Sequence, residues 1–111
     1  MIIKLNSVRS DETLSVAVFG DSLIVNGQSF DFSPLGEGDT LPRGAIKSPW
    51  FDGNVERVVG QLIITLLLPI PSNYSPAQAF PADLVNVPDG PVIFPAPLPD
   101  ELTAVASEVL A

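Results

Sequence analysis

The sequence predicts a mainly β fold: an antiparallel meander of about six strands, then a proline-rich extended C-terminal arm ending in a short helix. Three observations carry this expectation. Two strong hairpin signals, Gly20-Asp21 and Asn26-Gly27, separate short segments of alternating polarity. The run Gln61–Leu68, QLIITLLL, has Thr65 as its only internal interruption, and its β-branched centre suits a strand buried on both faces. Nine of the twelve prolines lie between Pro69 and Pro99, where the loss of ladder donors favours extended chain. With 111 residues the chain supports one modest core. The expected division is a β domain over 1–68 and an acidic arm over 69–111, packed on that domain or on a neighbouring subunit.

Ile2–Val8 reads as a first strand, with Ile3 and Leu5 on one face and Lys4 and Asn6 on the other. Thr13–Phe19, Ser22–Val25 and Gln28–Phe32 come next, and their register can be computed from the turns. A loop at Gly20-Asp21 sets Val18 opposite Leu23 and Val16 opposite Val25. A loop at Asn26-Gly27 sets Leu23 opposite Phe30. Cross-strand partners share a face, so Leu14, Val16, Val18, Leu23, Val25, Phe30 and Phe32 fall together. A slip of one residue would destroy that agreement.

Ser33–Asn54 is too long to be structureless throughout. Thr40-Leu41-Pro42 can open one helical turn, with threonine as its cap. Trp50 and Phe51 read as a plug for a small core or as exposed aromatic contacts, and the plug is favoured because large aromatics are mostly buried. Val55–Val59 and Gln61–Leu68 form a second hairpin around Gly60-Gln61, read as a type II′ turn. Val55, Arg57, Val59, Leu62, Ile64 and Leu66 share one of its faces.

Beyond Leu68 the arm is expected to touch its support through Phe80, Leu84, Val85, Val87, Val92, Ile93 and Phe94. Ser75–Ala79 suits a single helical turn. Pro99–Ala111 has the proline and acidic start of a helix, with Leu102, Val105, Ala106 and Val109 at helical spacing.

Composition bounds the function. The net charge of −8 opposes binding to nucleic acid or anionic membrane, both of which need clustered Lys and Arg. The chain has neither cysteine nor histidine, which removes disulfides, zinc–thiolate sites, thiol catalysis and histidine acid–base chemistry. The N-terminal apolar segment is too short for a secretory signal, and no stretch approaches a membrane span. A soluble, cytoplasmic protein is therefore expected. Mean hydropathy is high, at +0.36, so apolar surface should be covered by the arm or by a second copy in a homo-oligomer.

Carboxylates cluster at Asp11-Glu12, Glu37 with Asp39, Asp52 with Glu56, and Asp100-Glu101. Acidic pairs in turns and at a helix start are normally solvated or capping. The EGDT segment lacks the alternating oxygen ligands of a calcium loop, and the glycines of PLGEGD precede no apolar helix. No catalytic, cofactor-binding or metal-binding residue is expected. The candidate contacts to a partner are Trp50, Phe51, Phe80 and Phe94.

Four segments, MIIKLNSVRSDETLSV, NGQSFDFSPL, PRGAIKSPWFDGNVERVVGQLIITLLLP and FPADLVNVPDGPV, resemble a group of small tailed-bacteriophage and prophage proteins encoded among tail genes. The similarity covers most of the chain and weakens after Pro95. It implies a non-enzymatic tail-associated structural or assembly protein, partnered by phage tail proteins in the host cytoplasm or virion. It carries no functional residue with it. The alternative from a different class is a small acidic binding module aimed at a host protein.

Overall fold

A computed structural model describes residues 1–98. The fold is mainly β, in two four-stranded sheets. The strands are β1 (Ile2–Arg9), β2 (Val16–Phe19), β3 (Ser22–Val25), β4 (Gln28–Asp31), β5 (Thr40–Leu41), β6 (Val55–Val58), β7 (Gln61–Ile70) and β8 (Gly90–Pro91). The first sheet has the order β1-β7-β6-β5, and the second β4-β3-β2-β8. All pairs are antiparallel except β1 with β7. The helix expected over Pro99–Ala111 lies outside the described residues.

The second sheet obeys its turns. Val16 pairs with Val25, Val18 with Leu23, Leu23 with Phe30 and Val25 with Gln28, the register the turn signals dictate. Asn26 and Gly27 both take positive φ, as a type I′ hairpin requires, whereas in the first turn Gly20 alone does. Val16, Val18, Leu23, Val25 and Phe32 are buried, with Leu14 and Phe30 packed against them. The β2 strand starts later than expected, at Val16. Ahead of it Ser15 is tied across the turn, its N–H donating to Asn26 Oδ1 and its carbonyl accepting from Asn26 N–H.

The first sheet is built on β7, which is paired along both edges. On one side β1 runs parallel to it over eight residue pairs, from Ile2↔Ile63 to Arg9↔Ile70. On the other, β6 pairs with its start, and Phe51 bridges Leu66 further along. Leu62, Ile64, Leu66 and Leu68 are buried beside Ile3, Leu5 and Val55. Ile63, Thr65 and Leu67 are only half-buried, so β7 buries one face fully rather than both. Its central place in the sheet comes from its backbone, which finds a neighbour on each side.

Pro69 does not stop this strand. Alternate residues of β7 address opposite neighbours: Ile70 carbonyl accepts from Ser10 N–H on the β1 side, while Leu67 N–H donates to Trp50 carbonyl on the other. Pro69 shares the parity of Leu67. Its missing N–H therefore falls away from β1, and pairing continues to Ile70.

The second hairpin turns at Val59-Gly60, one residue earlier than expected. Val58 pairs with Gln61, and Val59 and Gly60 have φ of 52° and 76°, the signature of type I′. The change moves each partner by two residues, which preserves the faces. Arg57 still shares the inward side with Leu62, but Val59 is 85% exposed at the tip. A β-branched residue in the left-handed region is unfavourable, by about 1–2 kcal/mol. Glu37 supports it, accepting from Val59 N–H with one oxygen (2.6 Å) and from Gly60 N–H with the other (2.9 Å). Val59→Asn should raise stability by about 1 kcal/mol, because asparagine tolerates this conformation and no packing is lost. Urea unfolding checks it; an unchanged or lower midpoint would show that the turn is not strained.

Between the sheets the long connection is largely ordered. Thr40-Leu41 is the short strand β5 rather than a helix start, because it pairs with Glu56 and Val55. The turn of helix comes later, as a 3-10 turn over Arg43–Ala45 preceded by Pro42 and without a side-chain cap. Arg43 fixes the path of the chain beyond this turn, donating to the carbonyls of Ile46 and Ser48. Phe51 is 1% exposed and meets Phe30 edge-on, with ring centroids 4.9 Å apart, and Phe32 at 6.1 Å. These three rings join the loop, the first sheet and the second sheet in one core. Arg57 makes the polar counterpart of that junction. Its guanidinium donates to the carbonyls of Leu35 and Phe32 and reaches Asp21 Oδ2 at 3.1 Å, so a cation on an apolar face is fully engaged.

Candidate functional site: the apolar surface of the arm

The described part of the arm is stitched to both sheets. Its first turn, α1 (Pro76–Ala79), carries a capping box: Ser75 Oγ accepts from Gln78 N–H, and Gln78 Oε1 accepts from Ser75 N–H. Ser7 Oγ of β1 donates to Gln78 carbonyl, which anchors the turn to the first sheet. The chain then reaches the outer edge of β1, where Ile3 and Leu84 exchange both backbone hydrogen bonds at 2.9 and 2.8 Å. Next it crosses to the second sheet, where Gly90 and Pro91 pair with Val18 and Ala17, and Val92 N–H donates to Val16 carbonyl. Asp89 Oδ1 accepts from Gly20 N–H at 3.0 Å, clamping the arm to the first hairpin turn. The excursion closes on itself. Leu98 N–H donates to Asn73 carbonyl, Asn73 Nδ2 to Leu98 carbonyl, and Ser75 Oγ to Ala96 carbonyl.

This path sorts the arm's apolar side chains. Leu84, Val87, Val92 and Phe94 pack against the core. Phe80, Val85 and Ile93 face outward, at 86%, 60% and 87% exposed. Around them are two adjoining clefts. One, of about 420 Å³, is lined by Ala77, Phe80, Ala82, Leu84, Ile93, Phe94 and Pro95. The other, of about 230 Å³, includes Val85, Val87, Pro88, Val92 and Asp83 and shares Leu84 and Ile93 with the first. Ile93 is thus the ridge between them.

The four contact candidates read from the sequence are scattered. Phe51 lies inside the core, where no partner reaches it, because its ring closes the gap between the sheets. Phe94 is half-buried against that core. Trp50 is half-buried too and lines a separate cleft with Val8, Pro49 and Leu67, with Arg9 and Glu12 beside them. Phe80 stands on the arm's outer surface at 86% exposed, and Phe94 lines the same cleft from its inner side. Phe80, Val85 and Ile93 were expected to pack inward and do not. For Ile93 the neighbours carried the signal: in extended chain alternate side chains oppose each other, so Val92 and Phe94 pointing in send Ile93 out.

Among the described residues the carboxylates form no cluster of three or more. Asp11 pairs with Arg9, Asp39 accepts from Gly36 N–H, Asp52 accepts from Asn6 Nδ2, and Glu37 serves the Val59-Gly60 turn. Asp31 is held below the usual carboxylate range, chiefly by Ser33 N–H and then by the hydroxyls of Ser33 and Ser22. Asp100-Glu101 lies outside the described residues. Among the described residues no group of three or more acidic side chains is placed to hold a metal ion, and no helix is long and apolar enough to cross a membrane. What the arm's surface offers chemically is apolar area on a fixed backbone. Comparison of the chain with protein-family models, curated proteins and solved structures found no match.

Proposed function

We propose that the protein is a non-enzymatic structural or assembly component of a bacteriophage tail, working by protein–protein contact through the outer surface of its arm. One observation carries the contact reading. Phe80 and Ile93 stand almost wholly exposed on a segment that is hydrogen-bonded to both sheets. Large exposed apolar side chains on ordered backbone are costly in water and are the usual centre of an interface. A backbone already fixed by its own fold loses little further entropy on binding. The phage-tail assignment rests on the resemblance of the four segments MIIKLNSVRSDETLSV, NGQSFDFSPL, PRGAIKSPWFDGNVERVVGQLIITLLLP and FPADLVNVPDGPV.

Burying Phe80 and Ile93 would each contribute about 1.5–3 kcal/mol. The double variant Phe80→Ser/Ile93→Ser should therefore fold normally yet weaken partner binding by about 100-fold or more. The direct assay is complementation: a phage lacking this gene is supplied with either form, and tailed particles are counted. Wild-type protein should restore tails and the double variant should not. Full restoration by the double variant would remove the arm's surface from the function. Normal tail numbers in the absence of the gene would remove the tail assignment and favour a host protein as target.

A further inference from the structure

The turn between β3 and β4 has a reactivity of its own. Asn26 and Gly27 are both exposed and take φ of 48° and 84°. Glycine has no Cβ, so the nitrogen that follows Asn26 is unhindered and free to approach the asparagine side chain. The other four asparagines, Asn6, Asn54, Asn73 and Asn86, are followed by Ser7, Val55, Tyr74 and Val87, whose side chains obstruct that approach.

The fold holds the Asn26 amide away from this attack. Its Oδ1 accepts from Ser15 N–H at 2.7 Å, and its Nδ2 donates to Thr13 carbonyl at 3.1 Å. Asn26 N–H adds a third bond, to Ser15 carbonyl at 2.8 Å. Bonding Gly27 nitrogen to Asn26 Cγ closes a five-membered ring, which drives χ1 off its staggered rotamers. A side chain bonded at both ends of its amide must release residues 13–15 to turn that way.

We propose that Asn26-Gly27 is a gated deamidation site, silent while residues 13–15 are docked, reactive when they lift, and unable to re-form its turn afterwards. In the reaction Gly27 nitrogen gives up its proton as it bonds to Asn26 Cγ. The Cγ–Nδ2 bond breaks, and Nδ2 leaves as ammonia with that proton. Water then opens the cyclic imide at either carbonyl, leaving aspartate or isoaspartate, with no change of oxidation state. Both products spoil the brace. Aspartate keeps an acceptor for Ser15 N–H but has no donor for Thr13 carbonyl, so oxygen faces oxygen there. Isoaspartate lengthens the main chain by a methylene within a two-residue turn, and Val25 and Gln28 can no longer close it in register.

The test follows residue 26 of the full chain by peptide mapping and mass spectrometry, which reads the amide-to-acid mass gain and separates the two isomers. The protein is held at mildly alkaline pH, either folded or in guanidinium chloride. In denaturant Asn26 should react ahead of the other four asparagines and yield isoaspartate. In the folded chain it should react at least about tenfold more slowly, because residues 13–15 must first open. Ser15→Pro, which removes the N–H that holds Oδ1, should speed the folded reaction by about tenfold, with circular dichroism confirming the fold. If that variant fails to fold, the wild-type comparison decides alone. Chain deamidated in denaturant and then refolded should melt at a lower temperature than chain passed through denaturant at acid pH, where the amide stays intact. Equal rates in the folded and denatured chain would overturn the proposal. So would an unchanged rate in a folded Ser15→Pro, absence of isoaspartate, or identical melting of the deamidated and intact proteins.

Discussion

Leu23→Asp is expected to give no cooperatively folded protein, while Ser15→Asp folds within about 0.5 kcal/mol of the parent. Leu23 is 0% exposed and lies between Val18 and Phe30 across two ladders. A carboxylate there would be buried among apolar side chains, and an uncompensated buried charge costs several kcal/mol. The leucine's own burial, about 1.5–3 kcal/mol, is lost as well. Together these match the whole stability of a small domain, about 5–15 kcal/mol. Ser15 is exposed, and the donor that ties it to Asn26 is its backbone N–H, which substitution leaves in place. Thermal unfolding monitored by circular dichroism separates the two outcomes. Equal tolerance at both positions would mean that the second sheet is registered the other way.

Ending the chain after Leu68 should also abolish cooperative folding, although every residue of β2 to β6 remains. The cut removes Ile70 from the core and strips β8 from β2. It also removes Leu84 from the edge of β1, and with it the half-buried cover of Leu84, Val87, Val92 and Phe94. Ile3, Val16 and Val18, now almost fully buried, would face water along two unpaired strand edges. Such edges invite aggregation. The expected result is insoluble protein, or soluble protein with no sharp unfolding transition. A truncated chain that is soluble, monomeric and cooperatively folded would show the arm to be an ornament.

How much of this could be read from the residues depends on whether a local signal existed. The β2–β3–β4 meander was legible because Gly20-Asp21 and Asn26-Gly27 each fix a parity, and the two parities agree on one apolar face. The faces of β6 and β7 were legible for the same reason, although the turn was not. Valine is the wrong residue for a left-handed position, and Val59 holds it with the help of Glu37, which lies 22 residues away. The parallel pairing of β1 with β7 has no local mark, since it joins segments separated by three strands of the second sheet and two of the first. A meander was the natural reading, and two sheets sharing a core was the outcome. Gly90-Pro91 was read only as part of the extended arm, yet it pairs with β2 through a two-residue ladder. The β7 strand passing through Pro69 was hidden because proline's effect depends on which neighbour its missing N–H would have addressed. For the site, Phe80 was read both as an inward contact of the arm and as a partner contact, and its exposure removes the first. Phe51 suited either a plug or a contact, and the core holds it as a plug. Phe80, Val85 and Ile93 were placed on the wrong side, since size alone does not say which way an extended chain turns its side chains.

The central claim is that the arm's outer surface, rather than any other exposed aromatic, makes the functional contact. Phe19 supplies the comparison, because it is 54% exposed on the second sheet and lines neither of the arm's clefts. A photo-crosslinking phenylalanine analogue can replace Phe80, or separately Phe19, in the full chain expressed during tail assembly. Irradiation should join position 80 to one defined tail-gene product, and position 19 to none. Crosslinking to that product from position 19 and not from position 80, with tails assembling normally in both cases, would contradict the account.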